Sequence, residues 1–299
     1  MGTFSVRRAA GAGFRLIRRE PKAVLIWAGI YLALFAVFAL LFASMIAQIS
    51  KLDFEEGGAE PQLADIFGLQ LQMLGAQSLF MVGVYALRIF MTSAIFRAVL
   101  EPEARRWGYL RVSSQELWLG LVILVMSFGF GMAAMAVLLP LIGIGAGLGI
   151  ALHGLVGTAG SVLVALPFLA IGIGLVVWAA LRLCLAYPMS FSERTFRLFE
   201  AWPLSKGLAG KLLLMFILAG LAAFAIELLI TAVSLGAVFA MVSPHWETIA
   251  ATAPLDLLRK TAIIMPFTAI LGSVALACMT AIVTPPLADA YRQLNEAPA

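Results

Sequence analysis

The chain has 299 residues, of which 63% are hydrophobic and only 12% are charged, and its formal net charge is +4. Soluble proteins contain roughly 45–50% apolar and about 25% charged residues, and a soluble domain of this size lacks the interior to bury so much apolar surface. The composition therefore excludes a soluble globular protein and predicts an integral membrane protein. Because its apolar stretches are continuous and not alternating, they predict membrane-spanning helices and an all-α fold, and not a β-barrel.

A basic amphipathic segment, residues 1–22, opens the chain, with Phe14 and Ile17 set among arginines. Residues 23–299 then form one predicted transmembrane domain of six helices. The first apolar stretch is longer than the roughly 7–15 apolar residues of a signal peptide, so we expect it to remain as a span. A turn, or a loop dipping into the membrane, is predicted for the glycine-rich residues 140–160. The predicted spans are residues 23–49, 66–100, 117–139, 162–188, 212–242 and 261–284.

Lysines and arginines are concentrated at one end of the predicted spans. An excess of these residues marks the cytoplasmic ends of membrane helices. Fifteen of the 20 basic residues fall on one side of the predicted layout, whereas an acidic cluster within residues 50–65 falls on the other. With an even number of spans, this pattern predicts a multi-pass protein of a bacterial-type inner membrane with both termini in the cytoplasm.

Short matches at a fixed spacing suggest an internal repeat. The triplet Ala-Leu-Arg that ends at Arg88 recurs 94 residues later, where it ends at Arg182, and Cys184 recurs at the same spacing as Cys278. Leu276 stands in the third position of this arginine series. We therefore expect three pseudo-repeated hairpins, related about an axis along the membrane normal. They cover approximately residues 23–100, 117–190 and 212–286.

One segment resembles a known family. Its matching residues are Arg182, Leu183, Pro188, Trp202, Leu204, Ser205 and Gly207, while Ala201 stands where the family has a serine. This pattern is similar to that of the YciC-like inner-membrane proteins and of the membrane domain fused to some glycerophosphoryl diester phosphodiesterases. The resemblance implies a polytopic membrane protein of an uncharacterised family. The acidic metal ligands of the fused phosphodiesterase are absent from these residues, so the resemblance implies no such activity here.

The two arginines of the repeat are the first candidates for function. Each lies roughly 9–12 residues, or about 13–18 Å of helix, before a polar segment on the cytoplasmic side. One interpretation is that Arg88 and Arg182 extend towards the headgroups or cap carbonyl groups of neighbouring helices. Another is that both line an inner-leaflet pocket in which their guanidinium groups bind a lipid phosphate. A third is a role in gating or transport.

Glu227 is a carboxylate deep within the predicted fifth span. A carboxylate buried alone in a membrane is expected to be neutral. Three interpretations remain open: a protonated group bonded to a serine or threonine, an ion pair with Arg88 or Arg182, or a residue that couples transport to protons.

A second amphipathic segment is predicted on the cytoplasmic side. Phe196, Phe199 and Trp202 recur every three residues beside Arg194 and Arg197, a spacing typical of a helix lying in the membrane plane. Such a helix would favour an anionic leaflet. The alternative is that these residues are ordinary flanks of a span.

The sequence contains no arrangement typical of catalysis. It has no Ser-His-Asp grouping and no cluster of metal ligands. His153 and His245 lack acidic or thiol partners at ligand spacing, and Cys184 and Cys278 are interpreted as small packing residues. We therefore expect no catalytic activity, no metal and no cofactor.

The predicted function is the binding of anionic inner-leaflet lipid, or of a membrane-protein partner, through a groove in the cytoplasmic half of the bundle. The sequence gives no indication of nucleic-acid binding. Alternatives are a transporter of a small amphiphile or lipid that uses Glu227 as its coupling group, and an accessory subunit of a larger membrane complex. The candidate binding residues are Arg88, Arg182, Arg194, Arg197 and Trp202.

Overall fold

The computed structural model describes residues 4–49, 63–103, 106–243 and 265–295. These residues form helices and connecting turns, with no β-strand among them. The acidic segment predicted after the first span, the loop predicted before the sixth, and the first residues of that sixth span lie outside the described residues. The helices are α1 (Val6–Ala10), α2 (Ala12–Arg19), α3 (Pro21–Ile49), α4 (Leu63–Leu100), α5 (Ser114–Ala151), α6 (His153–Leu183), α7 (Ala186–Glu193), α8 (Ala201–Leu204), α9 (Ala209–Val242), α10 (Met265–Val283) and α11 (Pro285–Asn295).

Six stretches of this described structure are long and apolar enough to cross a membrane, and they lie in α3, α4, α5, α6, α9 and α10. The hydrocarbon core of a bilayer is about 30 Å thick, which about 20 helical residues span. The shortest of the six helices, α10, has 19 residues. The predicted all-α, six-span membrane protein is thus confirmed.

The connection between the third and fourth spans differs from the prediction. Helix α5 continues through Pro140 to Ala151, and a single residue, Leu152, separates it from α6. The predicted turn is therefore present at Leu152, but it is a single residue, and the rest of residues 140–160 is helical and forms no dipping loop. The only interruption of helical geometry within α6 is at Gly157, where φ is 67°.

The glycine-rich end of α5 is helical, and two of its glycines pack closely against α6. A Cβ atom added to Gly145 would lie 3.2 Å from the Cα of Ala165, and one added to Gly149 would lie 2.7 Å from the carbonyl oxygen of Ser161. Membrane helices approach each other closely through small residues four positions apart. Gly147, between them, faces open space. Gly145 and Gly149 thus allow α5 and α6 to pack closely as a hairpin.

The chain folds into two compact units. The first unit lies within Met1–Ala10, Val112–Leu218 and Pro286–Ala299, and the second within Gly11–Arg111 and Ala219–Pro285. The boundary between them falls inside α9.

The core of the first unit forms where seven helices contribute apolar side chains at one end of the α5–α6 hairpin. Its completely buried residues lie in α1, α5, α7, α8, α9 and α11, while Leu185 lies between α6 and α7. Burying a valine, leucine or methionine side chain stabilises by about 1.5–3 kcal/mol, and burying an alanine by less. The completely buried residues are Ala9, Val122, Leu185, Ala186, Ala201, Leu212, Met215 and Ala290.

The second unit has a separate core around α3. Trp27 of α3 is completely buried and packs with Met91 and Ile95 of α4 and Ala277 of α10. Helix α3 makes its most extensive contacts with α10. This arrangement brings three span-forming helices side by side around Trp27.

The amphipathic helix predicted near the N-terminus is present as α2, but with a different buried face. Leu16 is buried, whereas Phe14 is 49% exposed and Ile17 is partly buried. Gly13 is pressed against α10, since a Cβ at this position would lie 2.5 Å from the Cα of Ile282. Helix α2 therefore packs on the C-terminal end of α10, and Phe14 points away from that contact.

A strained turn follows α4. Three consecutive residues, Trp107, Gly108 and Tyr109, have positive φ angles of 50°, 63° and 66°. The indole Nε1 of Trp27 donates a hydrogen bond to the Gly108 carbonyl (2.9 Å), and Arg97 donates one to the Tyr109 carbonyl (2.6 Å). Both bonds are buried, and they fix the start of α3 beside the end of α4. Left-handed geometry costs roughly 1–2 kcal/mol per non-glycine residue, which these bonds offset.

Candidate functional site

The two arginines of the predicted repeat occupy two different units. Arg182 lies in the last turn of α6 in the first unit, and Arg88 lies in the second unit, twelve residues before the end of α4.

The guanidinium group of Arg182 is covered by aromatic rings. Its central carbon lies 5.1 Å from the centroid of the Trp202 ring and 5.8 Å from that of Trp178. The two indoles meet edge to face, with their centroids 5.2 Å apart. A cation over an indole face within about 6 Å is attracted by about 0.5–2 kcal/mol. These rings stabilise the charge of Arg182, and the buried Nε has no hydrogen-bond partner among the described residues.

The local fold explains why Trp202 reaches Arg182. Helix α6 ends at Leu183 and α7 follows after a two-residue break, so the regular helix is interrupted immediately after the arginine. Helix α8, which carries Trp202, then packs against α6. The Ser205 hydroxyl is within hydrogen-bond distance of the Arg182 carbonyl oxygen (2.8 Å) and of the Trp202 carbonyl oxygen (3.0 Å). These contacts hold the indole against the end of α6.

The in-plane helix predicted around Arg194 and Arg197 does not form. Helix α7 ends at Glu193, and Arg194 follows with a left-handed φ of 55°. The backbone N–H of Arg197 then donates to the Ser190 hydroxyl at 2.9 Å, which fixes a loop in place of another helical turn. A serine side chain that bonds a nearby backbone group competes with helix formation in this way.

The charge of Arg197 is paired with acidic residues at both ends of this loop. Arg197 forms ion pairs with Glu193 (3.0 Å) and Glu200 (3.4 Å), whereas Arg194 is exposed. Phe199 is 75% exposed. Of the loop residues predicted to bind lipid, Arg194 therefore faces outwards, while Arg197 is paired with two carboxylates.

Arg88 lies beside a cavity of about 200 Å³ within the second unit. Its walls come from α3, α4 and α10, together with the residue that follows α10. The apolar lining residues are Leu34, Val84, Leu87, Met91, Ile95 and Leu276. The polar lining residues are Tyr31, Arg88, Thr92, Thr280 and Thr284.

Helical periodicity places these residues on one wall per helix. Residues three, four or seven positions apart lie on one face of a helix. In α4 this face carries Val84, Arg88 and Thr92, four residues apart. Thr280 and Thr284 follow the same spacing at the end of α10. The sequence pattern thus brings a guanidinium group and several hydroxyl groups around one apolar space.

The charge of this cavity is unbalanced. Arg88 carries the only charge among the described residues that line it. Its side chain is exposed, and it forms neither an ion pair nor a hydrogen bond with another described residue. A guanidinium group within an apolar span strongly favours a compensating anion. The arrangement can therefore bind an anionic group.

Glu227 lies in the part of α9 that belongs to the second unit, and its side chain is partly exposed. Within the described part of the chain it forms no hydrogen bond or ion pair. It is not among the residues that line the Arg88 cavity.

Sequence reasoning missed two features of these sites. Trp178, one turn before Arg182, was not identified as a ring that covers it, although a tryptophan four residues from an arginine is a usable signal. The hydroxyl groups of Thr280 and Thr284 were also missed, because they approach Arg88 only through packing of distant helices.

Comparison of this chain with protein-family models, with curated proteins and with solved structures gives no match. The resemblance to the YciC-like proteins therefore stays a prediction.

Proposed function

We propose that this chain is an inner-membrane protein without catalytic activity that binds the anionic headgroup of a lipid in the cavity beside Arg88. Both termini lie in the cytoplasm, and the cavity opens towards the cytoplasmic leaflet. The observation that carries the proposal is an exposed guanidinium group in an apolar cavity whose described lining residues include no acid.

The size of the cavity supports a headgroup as the occupant. At about 200 Å³ it is smaller than the roughly 300–1,000 Å³ of pockets that enclose a drug-sized ligand. It can therefore take a phosphate or a similarly small anion, while the acyl chains remain in the bilayer. The Thr92 and Thr284 hydroxyls add donors that are suited to phosphate oxygens.

The position of the cavity supports the cytoplasmic leaflet. The start of α3 and the ends of α4 and α10 meet at one end of the second unit, as the Trp27, Arg97 and Gly13 contacts require. Basic residues of this unit gather at that end, and cytoplasmic leaflets attract them through anionic lipids. They are Arg15, Arg18, Arg19, Lys22, Arg97 and Arg111.

Native mass spectrometry of the purified chain tests the proposal. The chain is reconstituted with equal amounts of phosphatidylglycerol and phosphatidylethanolamine of the same acyl composition. We expect the unmodified protein to retain the anionic lipid, and Arg88→Gln to lower that retention by at least about tenfold, which corresponds to about 1.4 kcal/mol.

Arg182→Gln is the matched control, since it removes the same charge from a guanidinium group that two indoles already cover. It should leave retention within about twofold of the unmodified protein, a difference near RT. Equal retention by Arg88→Gln and the unmodified protein would overturn the proposal. Displacement of the lipid by millimolar inorganic phosphate would show instead that the site takes a free anion.

A further inference from the structure

The cavity beside Arg88 contains hydroxyl groups with different hydrogen-bonding roles. The Thr280 hydroxyl lies 2.9 Å from the carbonyl oxygen of Leu276 and 3.0 Å from that of Ala277, and it donates its single hydrogen to this pair. A hydroxyl that has used its hydrogen still has lone pairs with which to accept. The Tyr31 hydroxyl, which lines the same cavity, is hydrogen-bonded to this Thr280 hydroxyl. Because a hydroxyl oxygen has two lone pairs, Thr280 presents one remaining acceptor position, and no donor, to the cavity.

Three other residues of the cavity have hydrogen-bond donors available. Arg88 has only donors, and Thr92 and Thr284 line the same cavity without a hydrogen bond from their side chains to another described residue. These three residues can donate to phosphate oxygens. The cavity thus combines hydrogen-bond donors for an anionic group with an acceptor for a hydroxyl group on the same ligand.

We infer that the cavity selects a phosphodiester headgroup that carries hydroxyl groups, in which Arg88 holds the phosphate and Thr280 accepts a hydrogen bond from a headgroup hydroxyl. Phosphatidylglycerol has this chemistry. A zwitterionic headgroup also carries a donor, but its ammonium would share the cavity with Arg88, and none of the described lining residues is acidic. This inference rests on the proposed function and names its lipid class.

A pair of lipids that differ only in the headgroup hydroxyls tests the inference. Phosphatidylglycerol and phosphatidylpropanol are both monoanionic phosphodiesters with a three-carbon headgroup, but only the first carries hydroxyl donors. With equal amounts of the two at the same acyl composition, native mass spectrometry should find phosphatidylglycerol retained at least about threefold more, an effect within the range of one hydrogen bond.

Thr280→Val keeps the shape of the side chain and removes the acceptor. We expect the retention ratio to fall to about one while both anionic lipids stay bound through Arg88. Thr280→Ser should restore the preference, because it restores the hydroxyl. Thr231→Val makes the same change on an exposed position of α9 and should leave the ratio unaltered.

The outcomes separate this inference from the proposed function. A ratio of one in the unmodified protein, or an unchanged ratio in Thr280→Val, would overturn selection by headgroup hydroxyls while leaving an anion site in place. Retention that does not depend on Arg88 would overturn both.

Discussion

Arg182 and Arg88 lie at matched positions of the predicted repeat, yet the two regions treat the same side chain differently. In the first unit the guanidinium of Arg182 lies against Trp178 and Trp202. In the second unit Arg88 is exposed beside a cavity of about 200 Å³. A charged group in an apolar span can thus be stabilised in two ways, by aromatic rings that cover it or by an external anion in an adjacent cavity.

The residues at the matched neighbouring positions account for the difference. Val84 stands 94 positions before Trp178 and lines the cavity, so a small side chain leaves open the space that an indole fills in the first unit. Trp107 stands 95 positions before Trp202, but it is 83% exposed on its strained turn. A cavity at Arg88 therefore follows from one small residue and one tryptophan that faces elsewhere.

The largest effect on lipid retention is expected when the Arg88 region is made to resemble the Arg182 region. Val84→Trp places an indole one turn before Arg88, as Trp178 stands before Arg182, and should fill the cavity. We predict a loss of anionic-lipid retention of at least about tenfold, measured by native mass spectrometry.

Val82→Trp is the control for this change, because Val82 lies on the same helix, is 67% exposed and does not line the cavity. It should retain lipid as the unmodified protein does. If Val84→Trp kept its lipid while remaining folded, the cavity would not be the binding site.

A smaller effect is predicted for the aromatic cover. Trp202→Leu removes the ring nearest to the Arg182 guanidinium and its edge contact with Trp178. Because a cation–π contact and an aromatic pair each contribute on the order of 1 kcal/mol, the free energy of unfolding should fall by about 2 kcal/mol. Denaturant unfolding of the purified protein in detergent measures this change.

Trp107→Leu provides the comparison, since Trp107 is largely exposed and its removal should change the free energy of unfolding by no more than about 0.5 kcal/mol. Equal effects of the two substitutions would contradict a stabilising role for the Trp202 contact.

The smallest effect is predicted for loss of the Ser205 hydroxyl, which holds Trp202 against the end of α6. Ser205→Ala removes hydrogen bonding to the Arg182 and Trp202 carbonyl oxygens and should lower the free energy of unfolding by about 1 kcal/mol. The same denaturation assay applies, with the exposed Ser78→Ala as the control. A change no larger than that of the control would show that packing alone fixes α8.

The span-forming helices could be predicted from the sequence because their cause is local. A bilayer requires about 20 apolar residues in succession and internal hydrogen bonding of their backbone, and both requirements are met within each segment. Helices α4 and α9 accordingly begin within three residues of their predicted starts and end at the predicted residues.

The connections and the sites were harder because their causes are distant in sequence. Glycine at 145 and 149 usually indicates a break, but here α6 packs against it and keeps it helical. The aromatic spacing predicted a helix around Arg197, but the hydrogen bond from the Arg197 backbone N–H to the Ser190 hydroxyl fixes a loop there. Which arginine is covered depends on how α8, which carries Trp202, packs against α6, and no single-segment pattern contains that information.

The most direct test of the Arg88 cavity is a structure of the chain in a phosphatidylglycerol bilayer disc. The account predicts a lipid phosphate in the cavity, with its oxygens about 2.7–2.9 Å from the Arg88 guanidinium nitrogens, and no phosphate between Trp178 and Trp202 at Arg182. A cavity without a phosphate, or a phosphate bound at Arg182 in its place, would contradict it.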